Sequence, residues 1–154
     1  MSMPHKILFV CTGNSCRSIM AEAYLKKRVA EENLPIEVKS AGTIAMNGFA
    51  PPDETLKVLG QDEIDTEGYE STELTEDIID WADAIFIMEP IHKEKLVSLV
   101  PEAAGKIFYL GEFNDEDTNI IIPDPIGRSV GFYQVTFRLI KRLVERMILW
   151  LKRS

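Results

Sequence analysis

Short apolar segments alternate with amphipathic helical segments along this chain, and this alternation restricts the fold more than any other feature. Four segments have the composition of buried strands: residues 5–10, 36–40, 84–88 and 106–110. Apolar residues recur at helical spacing in five others: 19–30, 53–59, 75–81, 91–100 and 129–152. Strands that alternate with helices pair in parallel, because each crossover helix returns the chain to the same end of the sheet. The sequence therefore predicts a single α/β domain over residues 1–154, an open four-stranded parallel sheet with helices on both faces.

Charge and hydropathy exclude several classes of function. The net charge of −8 disfavours a nucleic-acid binder, since phosphate backbones are held by clustered Lys and Arg. The longest apolar runs, 7–10 and 120–122, are too short to cross a bilayer, and the N-terminus has no signal-peptide core. We therefore expect a cytoplasmic protein with no membrane partner. The basic residues of the last helical segment are interpreted as its solvated face: Arg138, Lys141, Arg142, Arg146, Lys152 and Arg153.

The loop between the first strand and the first helix carries the most unusual residues. It contains Cys11, Thr12, Gly13, Asn14, Ser15, Cys16, Arg17 and Ser18. A small, polar loop that enters a helix directs backbone N–H groups at one point, where the helix dipole adds positive potential. Ligands of open α/β sheets also bind at the carboxyl ends of the strands. This predicts a phosphate-binding loop after the first strand.

Three side chains of this loop are suited to nucleophilic attack on a bound phosphate. Cys11 opens the loop, and a thiol near a helix N-terminus and a cation ionises readily to a nucleophilic thiolate. Arg17 follows after five intervening residues, and its planar fork can bind two phosphate oxygens. Ser18 is suited to donate a hydrogen bond to the sulfur. The bare Cys-x5-Arg spacing is weak, because a buried cysteine that ends a strand and a surface arginine give the same pattern.

The complete string Cys-Thr-Gly-Asn-Ser-Cys-Arg-Ser resembles the low-molecular-weight protein tyrosine phosphatase family. The resemblance continues in Met20-Ala21-Glu22-Ala23, Ser40-Ala41-Gly42, residues 74–88 and Asp124-Pro125. It implies an enzyme without metal or cofactor that acts on phosphorylated protein side chains. Phosphotyrosine would be hydrolysed through a phosphocysteine intermediate on Cys11, with inorganic phosphate as the product. Two scattered histidines and two cysteines in an anion loop also form no metal-ligand cluster.

Asp124 lies between two prolines in the turn before the last helix. On local sequence alone it is a plain Asp-Pro turn. The resemblance assigns it the role of general acid and base, which protonates the leaving group and then activates water. The resemblance also implies that Asn14 and Ser40 belong to a hydrogen-bonded scaffold under the loop.

Two further positions belong to the surroundings of the loop. Cys16 is either a core residue or, as the resemblance implies, a redox guard that forms a disulfide with Cys11 on oxidation. Many relatives place a histidine in the scaffold under the loop, and the nearest matching position here holds Tyr69. His5 and His92 do not fall there, and both are interpreted as ordinary surface or strand-end residues.

The residues around the loop leave the substrate open. Tyrosine-directed relatives often carry aromatics after Asp-Pro, whereas this chain has Ile126, Gly127 and Arg128, so Phe49 or Met46 would have to supply an apolar wall. Ser15 resembles the small hydroxyl residue of the family's arginine phosphatase branch, so phosphoarginine is the alternative substrate.

Two other classes of function rank lower. Arsenate reductases of this fold pass oxidation to further cysteines, which this chain lacks beyond Cys11 and Cys16. A non-catalytic phosphate-binding regulator would not need the complete catalytic set.

Overall fold

The computed structural model describes residues 3–114 and 120–153, and its centre is a four-stranded sheet with order β2-β1-β3-β4. The strands are β1 (Lys6–Cys11), β2 (Glu37–Gly42), β3 (Ala84–Ile87) and β4 (Ile107–Tyr109). The α-helices are α1 (Arg17–Glu32), α2 (Asp53–Gln61), α3 (Glu76–Trp81), α4 (Pro90–Leu99) and α5 (Val130–Arg153). All three strand pairings are parallel, which confirms the predicted fold class. The predicted bounds of these elements differ from the observed ones by no more than two residues.

Both faces of the sheet are covered by helices, so the central strand is apolar throughout. In β1, Ile7 and Phe9 face a core shared with α1, α2 and α5, whereas Leu8 and Val10 face α3 and α4. All four side chains are fully buried. Continuous apolar strands are typical of parallel sheets covered on both sides. Cys11 ends this strand on the side of α1 and α5, within the same core.

The strand order reverses beside β1. The chain passes from β1 to β2 on one side and then crosses to β3 on the other side of β1. In open α/β sheets the crevice at such a reversal is the usual ligand site, because the two crossover connections diverge there. Cys11 is the last residue of β1 and lies at this crevice.

The basic residues of α5 lie on the solvent side of the helix, as predicted. Arg138 and Arg142 are exposed. Lys141 is half-buried and forms an ion pair with Asp62 at 2.8 Å. Across residues 3–114 and 120–153, no helix has both the length and the apolarity needed to cross a bilayer.

Candidate active site

Asn14 holds the loop of residues 11–18 in shape. Its φ of 51° lies in the left-handed region, which is unfavourable for most residues other than glycine. Asn14 is 1% exposed, and three hydrogen bonds of its side chain stabilise this backbone conformation. The oxygen accepts from the Thr72 N–H at 2.7 Å, and Nδ2 donates to Ser18 at 2.8 Å and Ser40 at 2.9 Å. The scaffold predicted for Asn14 and Ser40 is therefore present.

Gly42 allows β2 to lie directly against this loop. A Cβ at this position would be 2.7 Å from the Thr12 carbonyl oxygen and 2.8 Å from the Asn14 nitrogen. Both are backbone atoms that a side-chain rotation cannot move, so any larger residue would displace the loop. The absence of a side chain here is a requirement of the site.

A directed chain of hydrogen bonds ends at the sulfur of Cys11. The Glu22 carboxylate only accepts, so Ser40 donates its hydrogen to it at 2.5 Å. The Ser40 oxygen then accepts from Asn14, which also donates to Ser18. Ser18 therefore keeps its own hydrogen for the Cys11 sulfur, 2.8 Å away. This is the donor geometry predicted for Ser18.

Glu22 was not predicted as part of this scaffold. It is 8% exposed and forms an ion pair with Lys26 at 2.7 Å. The Lys26 ammonium also lies 5.3 Å from the centre of the Tyr69 ring. Tyr69, the residue expected at the position of the family histidine, therefore contacts Lys26, while Glu22 accepts the hydrogen bond from Ser40.

The Arg17 side chain is buried and held by hydrogen bonds. It is 1% exposed, and its Nη1 donates to Glu89 at 2.7 Å and to the Ile122 carbonyl at 2.8 Å. Its Nη2 lies 3.6 Å from Asp124. The structure thus brings Arg17 and Asp124 together, as predicted, and adds Glu89 as an unpredicted partner. Two hydrogen-bond acceptors and a third carboxylate at ion-pair distance hold the guanidinium in place.

Asp124 stands at the open side of the site. Its side chain is 40% exposed, and its Oδ1 accepts from the Ile126 N–H at 3.1 Å. Gly127, at a φ of 77°, completes the turn that the Asp-Pro sequence predicts. One face of the carboxyl group therefore remains accessible to a substrate or to water.

Cys16 lies inside the loop and is 2% exposed. Its sulfur is 3.5 Å from the Ser15 hydroxyl and 3.6 Å from the Tyr133 hydroxyl. Burial raises the pKa of the Cys16 thiol, so it is the thiol form that persists near neutral pH. Thr55 supports the same stretch by donating to the Ser15 carbonyl at 3.1 Å. No disulfide joins Cys11 and Cys16 in this structure.

Exposed apolar side chains flank the mouth of the loop. Ile44, whose N–H donates to the Thr12 carbonyl at 3.0 Å, is 78% exposed. Ile126 is 52% exposed beside Asp124. Phe49 and Met46, the predicted apolar walls, belong to the segment after Ile44 and are 61% and 71% exposed. The mouth thus combines an anion site with apolar side chains around it.

The interpretation of His92 as an ordinary surface or strand-end residue is wrong. His92 is fully buried, and its Nε2 is 3.0 Å from the Thr12 hydroxyl. His5, by contrast, is exposed at the start of β1, as predicted. A local signal for His92 existed, since Leu96 lies four residues later on the same face of α4 and is also fully buried.

The fold and the loop together define a cysteine-dependent phosphatase, with thiol, guanidinium and carboxyl groups at the carboxyl end of a parallel sheet. Among the residues that the structure describes, no group of three or more His, Cys, Asp or Glu side chains is arranged to hold a metal. Residues 6–154 match the family of the low molecular weight phosphotyrosine protein phosphatase. The chain belongs to this family, whose members are metal-independent hydrolases.

Similar proteins span almost the whole chain. The protein-arginine-phosphatase of Geobacillus stearothermophilus is 38% identical over 94% of this chain and 95% of its own length. The low molecular weight protein-tyrosine-phosphatase PtpB of Staphylococcus haemolyticus is 32% identical over 92% and 96%. A solved mutant of the YwlE arginine phosphatase with a phosphorylated active-site serine is 31% identical, with a TM-score of 0.91 and coverage of 97% of both chains.

Proposed function

We propose that this protein phosphatase hydrolyses phosphotyrosine through a phosphocysteine intermediate on Cys11. The observation that carries the proposal is the Cys11 sulfur with its 2.8 Å Ser18 contact, in the same loop as an Arg17 held beside Asp124. A nucleophile, an anion-binding cation and an acid at one crevice are the three groups that phosphoryl transfer through an enzyme thiolate requires.

In the first step the Cys11 thiolate attacks phosphorus, an S–P bond forms and the P–O bond to the tyrosine breaks. Asp124 gives its proton to the leaving phenolate oxygen. Arg17 and the loop N–H groups bind the oxygens on which charge develops. The phosphorylated serine in the YwlE mutant supports a covalent intermediate, because there a side chain of the active site carries the phosphoryl group.

In the second step Asp124 accepts a proton from water, which attacks phosphorus, and the S–P bond breaks. Inorganic phosphate leaves, and the electron pair of the bond returns to the sulfur. The Ser18 hydroxyl, already directed at the sulfur, stabilises the departing thiolate. Serine at position 11 would lack this ready leaving group, since a hydroxyl does not ionise near neutral pH.

The apolar mouth supports phosphotyrosine as the substrate. Ile44 and Ile126 present large exposed apolar surfaces beside the anion site. Among phosphorylated side chains, phosphotyrosine has the phenyl ring that would bury the most apolar surface against them. PtpB, a tyrosine phosphatase by name, is similar along nearly the whole chain.

Phosphoarginine is the second candidate, and Ser15 is the observation that favours it. Its hydroxyl lies within the loop, 3.5 Å from the Cys16 sulfur, where a branched apolar residue would otherwise pack. A hydroxyl at this point can contact the planar guanidinium of a phosphoarginine. The similarity to the Geobacillus protein-arginine-phosphatase also supports phosphoarginine as the substrate.

A paired assay with phosphotyrosyl and phosphoarginyl peptides of one sequence separates the two candidates. We expect faster phosphotyrosine hydrolysis, with no turnover by Cys11→Ser. Ser15→Ile should preserve phosphotyrosine hydrolysis and lower phosphoarginine hydrolysis, shifting the preference by roughly 10- to 200-fold, the range of a single side-chain contact. Wild-type activity confined to phosphoarginine would transfer the proposal to the second candidate.

We also propose that the enzyme is oxidation-sensitive and cytoplasmic. Cys16 lies five residues after Cys11 in the same tight loop, so the two thiols are candidates for a reversible disulfide that protects Cys11 from irreversible oxidation. The cytoplasmic location rests on the sequence alone.

A further inference from the structure

His92 connects α4 to the loop that carries the nucleophile. The helix begins three residues after the last residue of β3, and the imidazole of its first turn lies between the Met88 backbone and Thr12. The ring is fully buried. The ring belongs to the helix after β3, whereas Ser40 of the Asn14 scaffold lies on β2, on the other side of β1.

The hydrogen bonds of the ring define its tautomer. The Met88 N–H can only donate, and it lies 3.3 Å from Nδ1, so Nδ1 is the acceptor. The ring hydrogen is then on Nε2, which donates to the Thr12 hydroxyl oxygen at 3.0 Å. A second proton on Nδ1 would oppose the Met88 N–H. The geometry therefore requires a neutral Nε2–H imidazole.

The surroundings of the ring also favour its neutral form. Burial is the main cause, and with the cation of Arg17 it lowers the pKa of His92 to about 4. Glu89 at the start of α4 and Asp124 in the turn before α5 raise it by less. His92 is therefore neutral in the pH range where a phosphatase of this kind works.

The contact with Thr12 bears on the reaction, because Thr12 directly follows the nucleophile Cys11 in the sequence. Its carbonyl accepts from the Ile44 N–H at 3.0 Å, so backbone and side chain are held from two sides. With one lone pair of its hydroxyl engaged by His92, the Thr12 hydrogen is directed away from the imidazole.

We propose that His92 is a positioning residue of the phosphatase reaction, which fixes Thr12 so that its N–H and hydroxyl face the phosphoryl group. The role in turnover rests on the proposed function. The tautomer belongs to the resting protein and can be tested without substrate.

Two substitutions separate the donor from the rest of the ring. Gln at position 92 can place an N–H near the position of Nε2, whereas Asn can reach only the position of Nδ1. With 4-nitrophenyl phosphate, we expect kcat of His92→Asn to fall about three- to tenfold, the effect of one neutral hydrogen bond, with a smaller change in KM. His92→Gln should retain most of kcat, and His5→Asn, at an exposed histidine, should match the wild type.

Two results would overturn the proposal. One is equal kcat in folded wild type, His92→Asn and His92→Gln. The other is a ¹⁵N NMR spectrum of the wild-type imidazole at neutral pH that shows a charged ring or an Nδ1–H tautomer. The NMR measurement covers the case in which the variants do not fold. A wild type that lacks phosphatase activity but shows the Nε2–H tautomer would refute the proposed function and leave the contact standing.

Discussion

The Glu89 carboxylate is the strongest partner of the buried Arg17, and its removal gives the sharpest test of how the site is built. In Glu89→Ala the guanidinium, whose side chain is 2% exposed, loses its 2.7 Å ion pair. The Ile122 carbonyl at 2.8 Å and Asp124 at 3.6 Å remain. We therefore expect both lower stability and weaker control of the guanidinium.

The expected loss of stability follows from the unequal burial of Arg17 and Glu89. Removing one partner of a fully buried ion pair costs about 3–5 kcal/mol. The Glu89 side chain is 32% exposed, so water can replace part of the lost solvation, and we expect about 2 kcal/mol. In a protein of this size that corresponds to a decrease in Tm of roughly 4–8 °C.

Urea unfolding at neutral pH, with and without inorganic phosphate, measures this loss. Bound phosphate supplies a negative charge to Arg17, so the deficit of Glu89→Ala should shrink when phosphate is saturating. Glu89→Gln keeps an acceptor oxygen without the charge and should lose less. Glu94→Ala, at an exposed position of the same helix, should stay within about 0.5 kcal/mol of the wild type. A deficit no larger than that control, or one that grows in phosphate, would refute the reasoning.

Two further predictions concern the reaction itself. Asp124→Asn should slow phenyl phosphate hydrolysis by about 10²-fold or more and spare esters with strongly acidic leaving groups, which need little protonation; equal loss on both in steady-state assays would indicate a structural role. Cys16→Ser should stay active but recover poorly with dithiothreitol after peroxide, because Cys11 then proceeds to irreversible acids. Full recovery of that variant would count against the redox guard.

The elements and the loop were predictable because their signals are local. The apolar runs at β1 and β3, the Thr75 cap of α3 and the string from Cys11 to Ser18 are all contained in short windows of sequence. The side chain of Thr75 accepts from the Ile78 N–H as a cap should. The position of Asp124 beside Arg17 was predictable because two prolines and a family motif mark its turn.

The residues that support the loop have no such signal. Thr55 meets the Ser15 carbonyl across 40 positions of sequence, and Glu22 and Ser40 are 18 apart. Only the packing of α2 and β2 against the loop brings them together. Glu89 could have been predicted from the rule that ligands bind at the carboxyl ends of adjacent strands, since it lies two residues after the end of β3.

The long sequence separations around Arg17 also determine when the chain becomes an enzyme. Its acceptors on Glu89 and Ile122 lie 72 and 105 positions further along. A growing polypeptide thus carries its cysteine and arginine early, but their surroundings assemble only after most of the chain has emerged. Parallel pairing between distant segments is a slow step in folding, because the loop must close before any contact compensates for the lost entropy. Regained turnover after refolding therefore reports completion of the whole domain.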